Sequence, residues 1–297
     1  MNQHRYGYAC INLSLQPQGI TTTRSLILKT FNAKGLSYVS KLALSNIQDL
    51  KKVIEWNISN GFTIFRITSD IFPWWSKYKL IDLPDFNQIS VLLKEIGNLA
   101  KENNQRLSFH PDHFTKLASS DPSILYNSLW DIEQHSFVFD LMGFEPSPYN
   151  KINIHIGGAY GNKHDAMLQF CSNFFKLSRN AQKRLTVEND DKSAMYSVKD
   201  LFENIYPYIK IPIVFDYHHH SIYPNNLTQQ EAFEMAYSTW TILPVFHYSE
   251  SGLNGIRSHS DYIKNNSIST YGKDCFLMIE AKSKDLAVLE ILKNEKK

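Results

Sequence analysis

Short runs rich in β-branched and aromatic residues recur along the chain: YGYACINL, FTIFRIT, RLSFH, KINIHIG, RLTVEND, IPIVFDYH, ILPVFHYS and CFLMIEAK. Most are nearly continuous in apolar character, the pattern of parallel strands covered on both faces. Helical patterns lie between them. Ser45 with Gln48 reads as the start of a helix whose residues Ile47, Leu50, Ile54 and Ile58 share a face, with Gly61 closing it. Asp85 with Gln88, Pro122 after Asp121, and Thr228 with Glu231 are further helix starts. Eight strand-and-helix units in a row predict a (β/α)8 TIM barrel of the α/β class. Neither a glycine-rich phosphate loop nor a linker interrupts the alternation, so residues 1–297 are expected to form a single domain.

A barrel of this kind carries its site at the C-terminal ends of its strands. Those ends are expected at Asn12, Ser69, His110, His155, Glu188, Asp216 with His219, His247 and Glu280. Taken singly, each has an ordinary explanation, such as a hydrogen-bonded core histidine or a helix N-cap. Together, if the barrel closes, they gather imidazoles and carboxylates at one rim, where burial demands a compensating cation. Donors of this kind without thiolates suit Zn2+, Mn2+ or Fe2+, and their number suggests more than one ion. The stretch IVFDYHHHSIYP adds detail: Asp216 and His219, three apart, are the preferred ligands, with His218 and His220 behind them or exposed. In RSHSDYI, His259 and Asp261 are two apart and can face one ion from an extended backbone.

Composition narrows the setting. The apolar fraction of 43% supports a large core without disulfides, and three widely spaced cysteines fit a reducing, intracellular environment. A net charge of +2 names no partner by itself, although Arg24, Lys77, Lys79, Lys163 and Arg257 fall in expected loops. No apolar stretch approaches a membrane span, and no obligate protein partner is suggested.

The segments GYACINLSL, FRITSDIFP, RLSFHPDHF, NIHIGGAYG, LTVENDD, VFDYHHH, HYSES, SHSDY and IEAKSKD, in this order over residues 7–285, resemble the ultraviolet damage endonuclease family, a relative of endonuclease IV. The resemblance implies a DNA repair enzyme that nicks damaged double-stranded DNA 5′ of photoproducts, and of abasic sites, leaving a 3′-hydroxyl and a 5′-phosphate. It implies two or three divalent ions, Mn2+ first and Zn2+ as the alternative. His110 and Glu188 would hold one ion; Glu188, Asp216, His247 and Glu280 a second; His219, His259 and Asp261 a third, with His155 alongside. Glu188, Glu280 and Lys77 would be catalytic, and Tyr8, Asn12, His113 and Phe114 would meet the lesion. Three positions depart from the family pattern: Lys77 stands where a histidine is usual, Val245 replaces a lysine, and His113–Phe114 replace a glutamine and a tyrosine. Trp74 and Trp75 would brace the DNA backbone or stack on a base, or else pack the lid. A metal-dependent sugar isomerase or epimerase of the same barrel type and a non-catalytic lesion-binding protein are the competing readings.

Overall fold

The computed structural model describes residues 5–265 and 267–295. Eight parallel strands form its centre: β1 (Tyr6–Ala9), β2 (Ile64–Arg66), β3 (Arg106–Ser108), β4 (Ile152–Ile154), β5 (Leu185–Glu188), β6 (Ile213–Val214), β7 (Val245–Tyr248) and β10 (Phe276–Ile279). They pair in the orders β3-β2-β1-β10-β7 and β4-β5-β6. Single bridges at Phe109–Ile152 and Asp216–His247 join the two sheets at both seams, so the barrel closes. Each expected apolar run contributes one strand. A small antiparallel hairpin, β8 (Ser251–Gly252) with β9 (Gly255–His259), stands outside the ring and has no counterpart in the sequence reading.

Helices cover the outside: α1 (Leu28–Ser59), α2 (Phe86–Glu102), α3 (Pro122–Leu141), α4 (Lys163–Phe174), α5 (Arg179–Arg184), α6 (Val198–Asn204), α7 (Tyr206–Ile209), α8 (Tyr217–Ile222), α9 (Gln229–Tyr237) and α10 (Lys284–Asn294). The start expected at Ser45 is not a start. The apolar stripe continues back through Ala43 and Val39, both fully buried, so the helix continues too, and the Ser45 hydroxyl donates to the Lys41 carbonyl instead. Gly61, at φ 78°, does terminate α1. Asp121 caps α3 through the N–H groups of Ser123 and Ile124, and Thr228 and Glu231 form the expected reciprocal box at α9. Asp85 occupies the N-cap of α2 but makes no side-chain cap bond.

The strands are less uniformly apolar than they look, because their polar residues repeat every second position and share the inward face. Lys151, Asn153 and His155 form one such column on β4, and Arg106, Ser108 and His110 another running through β3. The large core lies between the strands' outer faces and the helices; a separate, thin apolar layer that includes Ala9, Ile64, Val245 and Met278 lies inside the barrel. Below it the buried Arg106 donates to the carbonyls of Tyr149 and Leu243, which precede β4 and β7, and so seals the floor. Small residues are required where the layers meet most closely. A Cβ at Gly7 would overlap the Ile64 carbonyl, and one at Gly97 on α2 the Met142 carbonyl.

Gly97 therefore provides a test of sign. Alanine in a helix interior ordinarily stabilises by about 1 kcal/mol over glycine, whereas here the overlap should make Gly97→Ala destabilising by roughly 1–3 kcal/mol. Urea unfolding checks this, and a stabilised variant would contradict the packing described.

Candidate metal centre

Glu188, at the end of β5, is 1% exposed, and its two oxygens face different neighbours. Oε2 accepts from Asn153 Nδ2 and lies 2.9 Å from His247 Nδ1 and 3.3 Å from His110 Nε2. Oε1 lies 3.3 Å from His219 Nδ1 and 3.8 Å from His155 Nε2. A carboxylate so deep in the protein should resist ionisation. The imidazoles of His247 and His155 and the hydrogen bonds around it outweigh burial, and its pKa falls well below the ordinary range.

Glu280 closes β10 against Arg66, with its Oε1 3.2 Å from His247 Nδ1. Burial raises its pKa, but Arg66 and His247 outweigh it and hold the carboxyl below its usual value. Asp216 plays two parts. Its Oδ1 accepts the His219 N–H at 2.7 Å as the N-cap of α8, while Oδ2 is buried with no hydrogen-bond partner. Burial above all raises its pKa to about 7, with Glu188 and Glu280 adding to the effect against His219. His247 Nδ1, for all its closeness to two carboxylates, also makes no hydrogen bond.

Among the described residues, three sets bring ligand atoms within 4.8 Å of one another: His110, Glu188 and His247; His155, Glu188 and His219; Asp216, His247 and Glu280. Glu188 and His247 each serve two sets. Orphaned buried donors, shared carboxylates and an all-imidazole and carboxylate composition fit hard or borderline divalent cations.

The histidine triplet resolves unequally. Residues 217–222 are helical, not extended, yet His219 alone of the three turns to the cluster, with Nδ1 2.9 Å from the Asn189 carbonyl. His218 and His220 are buried at 4% and 3%, so neither is exposed as the sequence allowed. His218 meets the His259 ring at 5.8 Å and His220 packs on Phe215. His259 approaches Glu280 Oε2 only to 4.0 Å. Asp261 is not brought to the cluster: its exposed carboxylate faces Lys282 Nζ at 3.8 Å.

The other expected site residues are scattered. Lys77 is exposed at the end of a short turn, Trp75–Lys77. Trp75 is buried against Phe72 and His135, and Trp74 donates to the Leu26 carbonyl, so this pair packs against the protein at the rim. Tyr8 is wholly buried on the outer face of β1, its hydroxyl donating to Asn57 and accepting from Asn12, whose amide oxygen is taken up by the Leu15 N–H. Neither Tyr8 nor Asn12 reaches an accessible surface. His113 and Phe114 do: their rings lie 4.1 Å apart on the loop after β3, with Phe114 69% exposed. His155 and His219 line a cleft of about 400 Å3 that His113 also borders.

Several supporting residues went unremarked in the sequence. Arg66 fixes Glu280, and Asn153 fixes Glu188 and accepts from Thr186. Lys151 is fully buried, donates to the Val245 carbonyl at 3.0 Å and lies 3.2 Å from His247 Nε2. Burial drops its pKa to about 7. Asp190 lies 3.2 Å from His155 Nδ1. The two-residue spacing of Lys151, Asn153 and His155 was the available signal.

The UV-endonuclease family model, UvdE, matches residues 4–297. The chain belongs to the UV-endonuclease family. It is 34% identical over 262 residues to the UV DNA damage endonuclease of Bacillus mycoides, covering 84% of this chain and 81% of that one. The crystal structure of SacUVDE superposes with a TM-score of 0.87 at 31% identity, over 99% of this chain and 98% of that one. Endonuclease IV from Thermus thermophilus shares the barrel fold, with a TM-score of 0.60 at 13% identity over 99% of both chains.

The pKa pattern predicts how cations load. Near pH 6 the metal-free chain keeps a proton on Asp216, and on His155, which Glu188 and Asp190 raise to about 9 against the lowering effect of burial. Because the folded Asp216 pKa exceeds its unfolded value, this group favours the metal-free fold at low pH, and that contribution is lost as pH rises through about 7. Ligation needs both groups deprotonated, so Mn2+ binding should release protons and tighten as pH rises from 6 through about 9. Titration calorimetry in two buffers of different ionisation enthalpy checks this; binding without proton release would contradict it.

Proposed function

We infer that this chain nicks duplex DNA at ultraviolet photoproducts, and at abasic sites, by phosphodiester hydrolysis 5′ of the lesion, leaving a 3′-hydroxyl and a 5′-phosphate. The observation that carries the reading is the Glu188 cluster at the barrel mouth in a member of the UV-endonuclease family. Two or three divalent ions, Mn2+ or Zn2+, would be held by His110, His155, Glu188, Asp216, His219, His247 and Glu280, with His259 as an outer candidate. Bound there, they supply Lewis acidity, activation of water and stabilisation of the departing 3′ oxygen.

The chain's own residues prepare that chemistry. Asn153 and Arg66 hold Glu188 and Glu280 in place, so neither carboxylate must reorganise when DNA arrives. His113 and Phe114 offer flat faces to the gap left by flipped nucleotides. Selection would come from deformation, since a damaged pair unstacks more readily than an intact one. Lys77, exposed on its turn, is free to approach a phosphate. The family assignment favours this reading over a sugar epimerase or a binding protein without catalysis. The site of action would be intracellular, where the DNA substrate lies; separately, no described helix is long and apolar enough to cross a membrane.

Glu188→Gln and Glu280→Gln should each abolish nicking of irradiated duplex and lower bound metal, with the fold retained by circular dichroism. Near-normal nicking by either variant would sink the cluster assignment. Among the triplet, His219→Ala should lose metal and nicking together. His220→Ala should keep its metal and instead lose thermal stability, through its packing on Phe215. Metal per chain and melting temperature, measured on both, separate the two roles; equal metal loss would overturn them.

A further inference from the structure

A second cleft lies on the same rim, away from His113 and Phe114. It measures about 340 Å3 and runs between the β8–β9 hairpin and the segment that follows it. Leu253, Tyr262, Lys264 and Lys282 are among its lining residues. Leu253 is 100% exposed at the hairpin tip, Ile256 beside it is 62% exposed, and Tyr262 is 39% exposed. Apolar groups held so openly on a short, well-bonded hairpin suit contact with a partner more than with water.

The cleft is built on fixed backbone. Glu250 accepts the N–H groups of Lys264 and Asn265, both at 2.9 Å, and its carbonyl accepts the Ser260 N–H at 2.8 Å. The Ser260 hydroxyl donates to the Tyr262 carbonyl, and the Lys282 N–H to the Ser260 carbonyl at 3.0 Å. Arg257 ties the hairpin across the mouth to Asp191 at 2.7 Å. The cleft is built on segments adjacent in sequence to the cluster, since Lys282 follows Glu280 by two residues and Ser260 follows His259, which ends β9. In the closed ring β7 lies four strands from β3, so this loop rises opposite the loop that carries Phe114.

We propose that this cleft is a nucleotide subsite that grips the DNA on the side of the cluster opposite Phe114. One base stacks on Tyr262, Leu253 wedges at the neighbouring step, and Lys264 and Lys282 take the phosphates. An aromatic face beside ammonium groups is how sequence-tolerant nucleic-acid grooves are made, and an apolar tip is how a step is pried open. Asp261, 3.8 Å from Lys282, is the counter-charge that a phosphate would displace. The subsite rests on the assignment of duplex DNA as substrate.

The test uses the full chain, a photoproduct-containing duplex, equilibrium binding over a salt series, and nicking kinetics. Tyr262→Leu should weaken binding roughly 5- to 150-fold, the range expected for one lost stack, with the loss appearing in KM. Tyr262→Phe should bind like the parent. Lys264→Ala should reduce the salt slope by about 1. Melting temperature and metal content establish that each variant is folded and loaded. Parental binding by Tyr262→Leu, equal losses in the Leu and Phe variants, or an unchanged slope in Lys264→Ala would overturn the subsite. A parent that binds damaged duplex without cutting it would instead refute the catalytic reading and leave the binding comparison decisive.

Discussion

Everything at the mouth of this barrel depends on burying the Glu188 carboxylate. At 1% exposure an anion is tolerated only if its surroundings replace water. Asn153 supplies a hydrogen bond, and four imidazoles, three near the ends of β3, β4 and β7 and one on α8, approach within 3.8 Å. Closure of the ring makes that convergence possible. The seam bridge at Asp216–His247 places two candidate ligands side by side, and the Phe109–Ile152 bridge precedes His110 by one residue. A cluster of ligands and a closed barrel are here the same geometric fact.

Charge is graded along the barrel axis. Arg106 seals the floor, Lys151 lies beneath His247, and Arg66 stands beside Glu280 at the rim, so cations underlie the carboxylates that gather above. His247 joins the layers, with Lys151 behind Nε2 and two carboxylates before Nδ1. Burial, outweighing Glu188 and Glu280, lowers its pKa to about 4, and imidazole binds a cation in its neutral form.

The barrel was legible because the strands' outer faces are apolar, and His110, His155, Glu188, Asp216, His247 and Glu280 lie at or within two residues of strand ends. Asn12 and Ser69 fall three residues beyond β1 and β2, and His219 lies on α8. What sequence could not convey was direction. Tyr8 lies in a strand that leads to the mouth, but its side chain points outward to Asn57. The triplet 218–220 follows directly on an apolar run, and Asp216, by accepting the His219 N–H, caps a short helix there that sets His219 apart from its two neighbours. Asp261 is close in sequence to His259 but belongs to a loop tied to Lys282. Ser45 resembled an N-cap because its spacing to Gln48 is right, while the buried stripe that overrules it begins earlier, at Val39. Arg66 and Lys151 were hidden inside runs that read as apolar because only the inward face carries them.

The account stands most directly on one measurement: mapping the cut, at nucleotide resolution, in a duplex bearing a single defined photoproduct, using protein stripped by chelator and then reloaded with Mn2+. It predicts no cleavage by the stripped protein. After reloading, it predicts one nick 5′ of the lesion with a 3′-hydroxyl end and none in the undamaged duplex. Cutting that survives the chelator, or that falls equally on undamaged DNA, would contradict it.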